Sequence, residues 1–573
     1  MNQRPRRTIA APIYNEDLYG WAYGDSDEEK DLFPSSYDDR SPPSPPPELN
    51  DPMEELSSDE EEIDEIPSIP SIPIDNGGWS QQFTSLNCNL FTGTQGIRGR
   101  NNQFDSPLTA FRLFFSDLVH ERIARETNKY AESKGNESWI NTNQAEVKKL
   151  IACLIYMGVD SIGDTSLYWA SPFNIPFITR LFTRDRFTCL LSHIHLTSNN
   201  NSSNDKLYKV RWLLDYITQR CLYLYYPSEN LAVDEAMIPF KGRLGFKQYI
   251  PSKPTKWGIK VWALADSSNG FLCNFCVYTG ASSEQKENGM NNIESIVLNL
   301  CRPFEGKYHR LWMDNYFTSF PLLKKLKERA IYASGTVRWN RQGFPSSLKD
   351  IWNKKQLARL RATEKGKFHA REKDGVVATI WFDNGIVSFL SNCIPAIPFV
   401  KIPRRQPNGE QKEIDCPPIV LSYNKSMGAV DMHDQRREVY RIGRKSTRWW
   451  MPLFYYLLDV CIVNSFLLYK LKYPEKNISH RDFRVLLMQE MIEEKAPRTS
   501  KRTRVDIGVS DDSGNFIFNC SLVNTYKMRH CSVCSGRTQK DKKEVGKRVR
   551  TQFKCLKCNI YVCPSTCFPL HSI

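Results

Sequence analysis

A succession of short apolar runs, set apart by helical text, constrains this chain more than any other feature. The run ENLAVDEAMIPF opens it, WGIKVWALADSSNGFLCNFCVYTG follows, and HRLWMDNYF and IYASGTVRW come later. Runs of this length, rich in β-branched and aromatic residues and lacking helical spacing, read as buried strands, and the second reads as two strands joined at SSNG. Between them NNIESIVLNLCRPF and PLLKKLKERA carry helical periodicity. The order strand, two more strands, helix, strand, helix, strand predicts an α/β fold with helices packed on a mixed sheet.

Helical segments flank this layer. From Ser106, Phe111, Phe114, Phe115 and Leu118 recur at helical spacing, and Asn143 with Glu146 three residues on marks a capped helix start at EVKKLIACLIYMG. LTSNNNSSND is a loop, and KVRWLLDYITQRCLYLY another helix. Residues 346–415 interrupt the layer, first as a basic stretch and then as a hairpin, VVATIWFDNGIVSFL, turning at Asp383, Asn384 and Gly385. Helical text returns at Met432 and runs to about Lys495. Within it Met451 to Tyr469 is the most apolar stretch, but Asp459 and Asn464 interrupt it, so a buried core helix is expected and no membrane span. The first residues carry no apolar stretch of the signal-peptide kind, and secretion is not expected.

Charge is strongly polarised. Residues 1–75 hold 20 acidic and 5 basic residues, whereas residues 76–573 hold 73 basic and 44 acidic, within an overall net charge of +14. SPPSPPP, DPMEELSSDEEEIDEI and IPSIPSIPI make residues 1–104 too polar and proline-rich to fold alone, so a disordered acidic arm is expected there. It is either a solvating tail or a segment that competes with DNA for the basic body, with Ser57 and Ser58 as candidate phosphorylation sites. A body this basic attracts polyanions, of which a phosphate backbone is the commonest, and solubility is the plainer alternative.

Three aspartates end predicted core elements: Asp234 after LAV, Asp314 after LWM, and Asp431 after GAV at a helix start. Strand ends are partly shielded yet reachable from a cleft, and carboxylates there suit Mg²⁺, a hard cation that takes oxygen ligands. Asp434 lies one helical turn beyond Asp431, which predicts both carboxylates on one face. Taken singly, an aspartate beside an apolar triplet is more often a cap or turn residue. Basic residues cluster near these positions: Lys241, Arg243, Lys247, Lys253 and Lys256 after the first aspartate, and Arg441, Arg444, Lys445 and Arg448, with Trp449 and Trp450, after the third. Basic groups neutralise phosphates and aromatic rings stack on bases, so both clusters are candidate DNA contacts; for the second, a helix with one charged and one apolar face competes.

Six of the 17 cysteines lie in the last 43 residues. Cys531 and Cys534, Cys555 and Cys558, Cys563 and Cys567, and His571 have zinc-ligand spacing, and His530 is the candidate eighth ligand for two structural Zn²⁺ ions. The lysine- and arginine-rich loop between the first two pairs favours nucleic-acid contact over a merely stabilising or ubiquitin-ligase-like module.

The blocks AVDEAMIPFKGR, LWMDNYFTS and SYNKSMGAVDMHDQ, each containing one of the aspartates, resemble the signature blocks of piggyBac transposases. FRLFFSDLVHERIARETNKYA, STRWWMPLFYYLLDVCIVNSFLLY and the terminal cysteines extend the resemblance over roughly residues 105–573. It implies an RNase H-like catalytic core with an inserted subdomain, a flanking helical dimerisation and DNA-binding domain, and a C-terminal cysteine-rich zinc domain that binds transposon ends. By carry-over, Asp234, Asp314 and Asp431 hold two catalytic Mg²⁺ ions and Asp434 is a fourth required carboxylate. The implied division is 1–104 acidic arm, 105–230 and 439–498 helical domain, 231–345 and 416–438 catalytic core, 346–415 insertion, 499–527 basic linker and 528–573 zinc domain. The implied activity is cut-and-paste DNA transposition in the nucleus by a homodimer, through a hairpin intermediate and into TTAA targets, with double-stranded DNA as partner and no membrane or small-molecule substrate. A domesticated, transposase-derived DNA- or chromatin-binding protein is the main alternative, and a metal-dependent nuclease without strand transfer a third.

Overall fold

The structure, a computed structural model, describes residues 75, 77–83, 86–197, 205–251, 253–280, 290–349, 366–383, 385–405 and 411–493, together with the backbone of strands 522–530 and 550–555. The chain divides into two compact units, residues 1–494 and 495–573.

The first unit opens with helices α1 (Pro107–Arg112), α2 (Asp117–Ser133), α3 (Gln144–Val159), α4 (Arg184–His193) and α5 (Arg211–Leu224). The Asn143 side chain accepts from the Glu146 N–H, so the predicted cap starts α3. Phe111, Phe114 and Phe115 are buried, but Leu118 is 57 % exposed because the chain breaks between α1 and α2, which rotates the helical pattern out of phase.

Nine strands follow in one sheet. They are β1 (Asn230–Pro239), β2 (Gln248–Tyr249), β3 (Trp257–Asp266), β4 (Leu272–Val277), β5 (His309–Met313), β6 (Ile331–Thr336), β7 (Phe368–Lys373), β8 (Val376–Phe382) and β9 (Ile386–Ser391). The spatial order is β2-β3-β1-β5-β6-β9-β8-β7, with β4 also on β3. β1, β3 and β4 pair antiparallel, whereas β5 and β6 run parallel to β1. Helices α6 (Asn292–Cys301) and α7 (Phe320–Glu328) make the crossovers that parallel neighbours require. The predicted hairpin forms, with Phe382 opposite Ile386, and β9 pairs with β6, so residues 368–391 continue the sheet outward from its parallel part. Strands β10 (Val400–Arg405) and β11 (Gln411–Cys416) make a separate two-stranded ribbon.

Helices α8 (Pro418–Ser426), α9 (Ala429–Val439), α10 (Met451–Lys472) and α11 (His480–Glu493) complete the unit, the first of them starting well before Met432. α10 is long and apolar enough to cross a membrane, yet it is buried along its whole apolar length within the protein. Its polar interruptions are satisfied there. Asp459 pairs with Arg484 at 3.0 Å and accepts from the Ile442 N–H, while Asn464 bonds both the N–H and the carbonyl of Leu272 on β4.

The expectation of disorder up to residue 104 is corrected. Trp79 is 2 % exposed, edge-on to Phe320 at 5.3 Å, and Ser80 bridges to Glu372 on β7. The Asp75 carboxylate accepts from Trp79 N–H and from Ser346 and Ser347, and Phe104 is buried beside Tyr469. Isolated anchors such as Trp79 gain their burial from distant elements, which composition does not register. Residues 1–74 of the expected arm lie outside the described residues. In the second unit, strands β12 (Leu522–His530) and β13 (Arg550–Cys555) pair antiparallel, so regular structure begins inside the expected 499–527 linker.

Candidate active site

The register of β1 and β5 brings two of the three aspartates together. Val233 faces Met313 across the parallel pair, so the next residues, Asp234 and Asp314, emerge side by side at neighbouring positions. The Asp234 carboxylate accepts from the Glu235 N–H at 2.7 Å, and that of Asp314 from the Tyr316 N–H at 3.0 Å. Burial pushes the Asp234 carboxyl up to about 7; the Asp314 and Glu235 charges add to the rise, and Lys253 opposes it. Burial, with the Glu235 charge, also raises Asp314. Two desolvated carboxylates of like charge are costly to ionise together, and a cation held between them offsets that cost.

The turn after β5 is fixed from β6. The Thr318 hydroxyl and N–H both donate to the Asp314 carbonyl, and Gly335 sits against this turn. A Cβ at Gly335 would stand 2.3 Å from both the Met313 carbonyl and the Thr318 hydroxyl, so only glycine lets β6 approach the strand end that carries Asp314.

Sequence reasoning missed a second charged layer beneath the pair. Glu235 pairs with Lys260 at 3.5 Å, and the Lys260 ammonium lies 3.8 Å from the Trp262 ring centre and 4.6 Å from that of Tyr316. Burial holds Lys260 below its ordinary pKa. The signal for this layer is strand alternation: Glu235, next to Asp234, must point to the opposite face, where its cross-strand partner is Trp262. Lys253, a predicted DNA contact, donates to the Glu235 carbonyl at 3.2 Å and so stands at the site.

Asp431 is placed differently. It is exposed in the first turn of α9, a helix that packs on β1 and β3. His433 donates to the Gly270 carbonyl and Arg436 to that of Asn269, so the turn between β3 and β4 sets where α9 lies. Asp434 contacts Arg437 at 3.3 Å, and Arg437, 2 % exposed, also pairs with Glu438 and lies 5.1 Å from the Tyr456 ring. Burial raises Asp434, with Arg437 opposing. The structure therefore unites Asp234 with Asp314 and gives Asp434 to an ion pair within α9, whose Arg437 in turn lies against Tyr456 of α10. Among the described residues, no three His, Cys, Asp or Glu side chains stand close enough to hold one metal ion. The desolvated Asp234 and Asp314 oxygens fit a hard divalent cation; Asp431 is carried by a separate element and does not join them here.

The two predicted basic clusters diverge. Lys241, Arg243 and Lys256 are exposed. Arg444 and Arg448, read from sequence as DNA contacts, are half-buried and bond inward: Arg444 to the carbonyls of Met157 and Ile162 and the Tyr168 hydroxyl, Arg448 to the carbonyls of Leu191, Ser192 and Ile194. Arg441 faces Glu438 at 3.5 Å, Lys445 is exposed, and Trp450 is buried at the head of α10. In the tail, His530 and Cys555 lie on described strands, whereas Cys531, Cys534, Cys558, Cys563, Cys567 and His571 lie outside the described residues.

Comparison with known proteins gives the family. A family model described as Transposase IS4 matches residues 106–466, more than half of the chain. Human PiggyBac transposable element-derived protein 3 is 27 % identical over 467 residues, covering 79 % of this chain and 74 % of that protein. Human PiggyBac transposable element-derived protein 2 is 25 % identical over 452 residues, covering 76 % and 74 %. A cryo-EM structure of a piggyBac transposase synaptic complex with hairpin DNA matches with a TM-score of 0.59 at 24 % identity, over 82 % of this chain and all of that one. Residues 106–466 hold the whole sheet and all four aspartates, and by that match the chain belongs to the transposase family, as a member of its piggyBac type.

Proposed function

We propose that this chain is a DNA transposase that cuts and rejoins DNA by metal-dependent phosphoryl transfer. The observation that carries the reading is the Asp234–Asp314 pair, side by side on parallel strands, with burial raising both carboxyls above the ordinary carboxylate range. The β4-β3-β1-β5-β6 order, three antiparallel strands followed by two parallel ones, supports an RNase H-like core. Asp234 and Asp314 would hold Mg²⁺, with Asp431 as the third ligand that the family resemblance implies. Bound there, Mg²⁺ supplies Lewis-acid stabilisation for an in-line displacement at phosphorus. Lys253 is anchored at the same edge, where its charge can meet a phosphate. Water or a 3′-hydroxyl serves as nucleophile at one site in successive steps, which suits nicking, hairpin formation and opening, and joining at TTAA.

The same reading assigns two Zn²⁺ ions to His530, Cys531, Cys534, Cys555, Cys558, Cys563, Cys567 and His571, and a homodimer acting in the nucleus. A second reading, a domesticated DNA-binding protein, is favoured by the likeness to the human PiggyBac transposable element-derived proteins. An assay for excision and integration of a marked element with its flanking ends separates the two. Transposition by the wild type but not by Asp314→Asn is expected. DNA binding without excision by the wild type selects the second reading.

A further inference from the structure

From Ala236 to Ala265 the chain carries six lysines or arginines and no acidic residue. Within this stretch two large aromatic side chains stay in solvent: Tyr249 is 46 % exposed and Trp257 43 % exposed. They are direct cross-strand partners between β2 and β3, with ring centres 4.6 Å apart and planes tilted by 38°. Lys247 lies 5.2 Å from the Trp257 ring, and its ammonium donates to the carbonyls of Gly242 at 2.9 Å and Lys241 at 3.2 Å. The rings are thus held in place by neighbours while their outer surface stays open.

Their position relative to the carboxylates follows from register. β1 and β3 pair without a shift from Leu231 opposite Asp266 to Pro239 opposite Gly258. Ala263 is opposite Asp234, and Trp257 is six residues from Ala263 along β3, an even number, so alternation puts Trp257 on the Asp234 face of the sheet. At a rise of about 3.4 Å per residue the separation is roughly 20 Å. That is roughly six base-pair steps of duplex DNA at about 3.4 Å each, and fewer nucleotides of an extended single strand.

Exposed rings on a basic surface are costly unless something covers them, and the charge here selects an anionic partner with flat apolar faces. We propose that Tyr249 and Trp257 form a stacking platform for an unpaired nucleobase of DNA, roughly 20 Å from the phosphate at Asp234 and Asp314. Lys241, Arg243 and Lys256 line the same stretch and meet the backbone on either side of that base. The inference rests on the DNA-processing reading above. It adds a preference that the carboxylates do not supply: tighter binding of DNA with unpaired bases than of fully paired DNA.

The test compares two probes on the full chain: a blunt mixed-sequence duplex, and the same duplex with a single-stranded overhang carrying 2-aminopurine. The wild type is expected to bind the overhang probe more tightly and to quench its fluorescence. Trp257→Ala and Tyr249→Leu should each weaken overhang binding by about tenfold, within the 1–3 kcal/mol that base stacking contributes, and leave the blunt duplex unchanged. Trp257→Phe, which keeps a ring and the fold, should retain the preference. Equal binding of both probes by the wild type, or equal losses on both probes in the variants, overturns the stacking platform while leaving the transposase reading in place. Failure of the wild type to bind either probe removes both.

Discussion

Two arginine- and lysine-rich segments, 241–256 and 441–448, look alike in sequence, each mixing cations with aromatics near a proposed catalytic aspartate. The fold half-buries Arg444 and Arg448 of the second and leaves Lys241, Arg243 and Lys256 of the first in solvent. Arg444 and Arg448 satisfy carbonyls around the ends of α3 and α4, so they hold the helical body against the chain that enters α10. Lys241, Arg243 and Lys256 remain exposed around an open pair of rings. Charge alone does not separate the two segments: burial does, and even in the first Lys247 and Lys253 donate to backbone carbonyls, as the two arginines of the second do.

Substitutions can break this contrast. Arg448→Ala leaves three backbone carbonyls without their charged donor and should cost about 2–4 kcal/mol, read by chemical denaturation. A loss of DNA affinity at unchanged stability would reverse its assignment. Lys241→Ala and Arg243→Ala should leave stability within about 0.5 kcal/mol, as exposed positions usually do. Each should instead flatten the salt dependence of DNA affinity by about one unit of slope, read by titration at several salt concentrations. A change in unfolding midpoint without a change in slope would place them with the arginines.

A separate effect concerns protons. Because the folded pKa of Asp234, about 7, lies above its ordinary 3.8, its contribution to the stability of the metal-free protein is fully present below about pH 4. It is lost as pH rises through 7. Asp234→Asn should therefore flatten the stability profile between pH 4 and 7 and leave the metal-free chain more stable at pH 8. An unchanged profile would mean that the carboxylate is better solvated than its position implies.

Much of the core was legible because strand text is local. β1, β3, β4, β5 and β6, the crossover helices, the cap at Asn143 and the hairpin before Ser391 all follow from residue period and turn chemistry. What escaped depends on partners distant in sequence. Trp79 is ordered by Phe320, Arg448 by carbonyls more than 250 residues away, and Lys260 by a ring from the turn after β5. The neighbouring positions of Asp234 and Asp314 follow from parallel pairing, but the placement of Asp431 depends on contacts between α9 and the turn at Asn269 and Gly270, which no local pattern encodes.

The central claim is that Asp234 and Asp314 are the heart of a metal-dependent DNA-cutting site. Strand cleavage of labelled end DNA in Mg²⁺ by purified protein, with binding followed in the same samples, tests it most directly. Cleavage by the wild type and a loss of at least about a thousandfold in Asp234→Asn and Asp314→Asn, with binding retained, are the predicted results; such a loss corresponds to about 4 kcal/mol of transition-state stabilisation. Cleavage by Asp314→Asn at the wild-type rate would contradict the account.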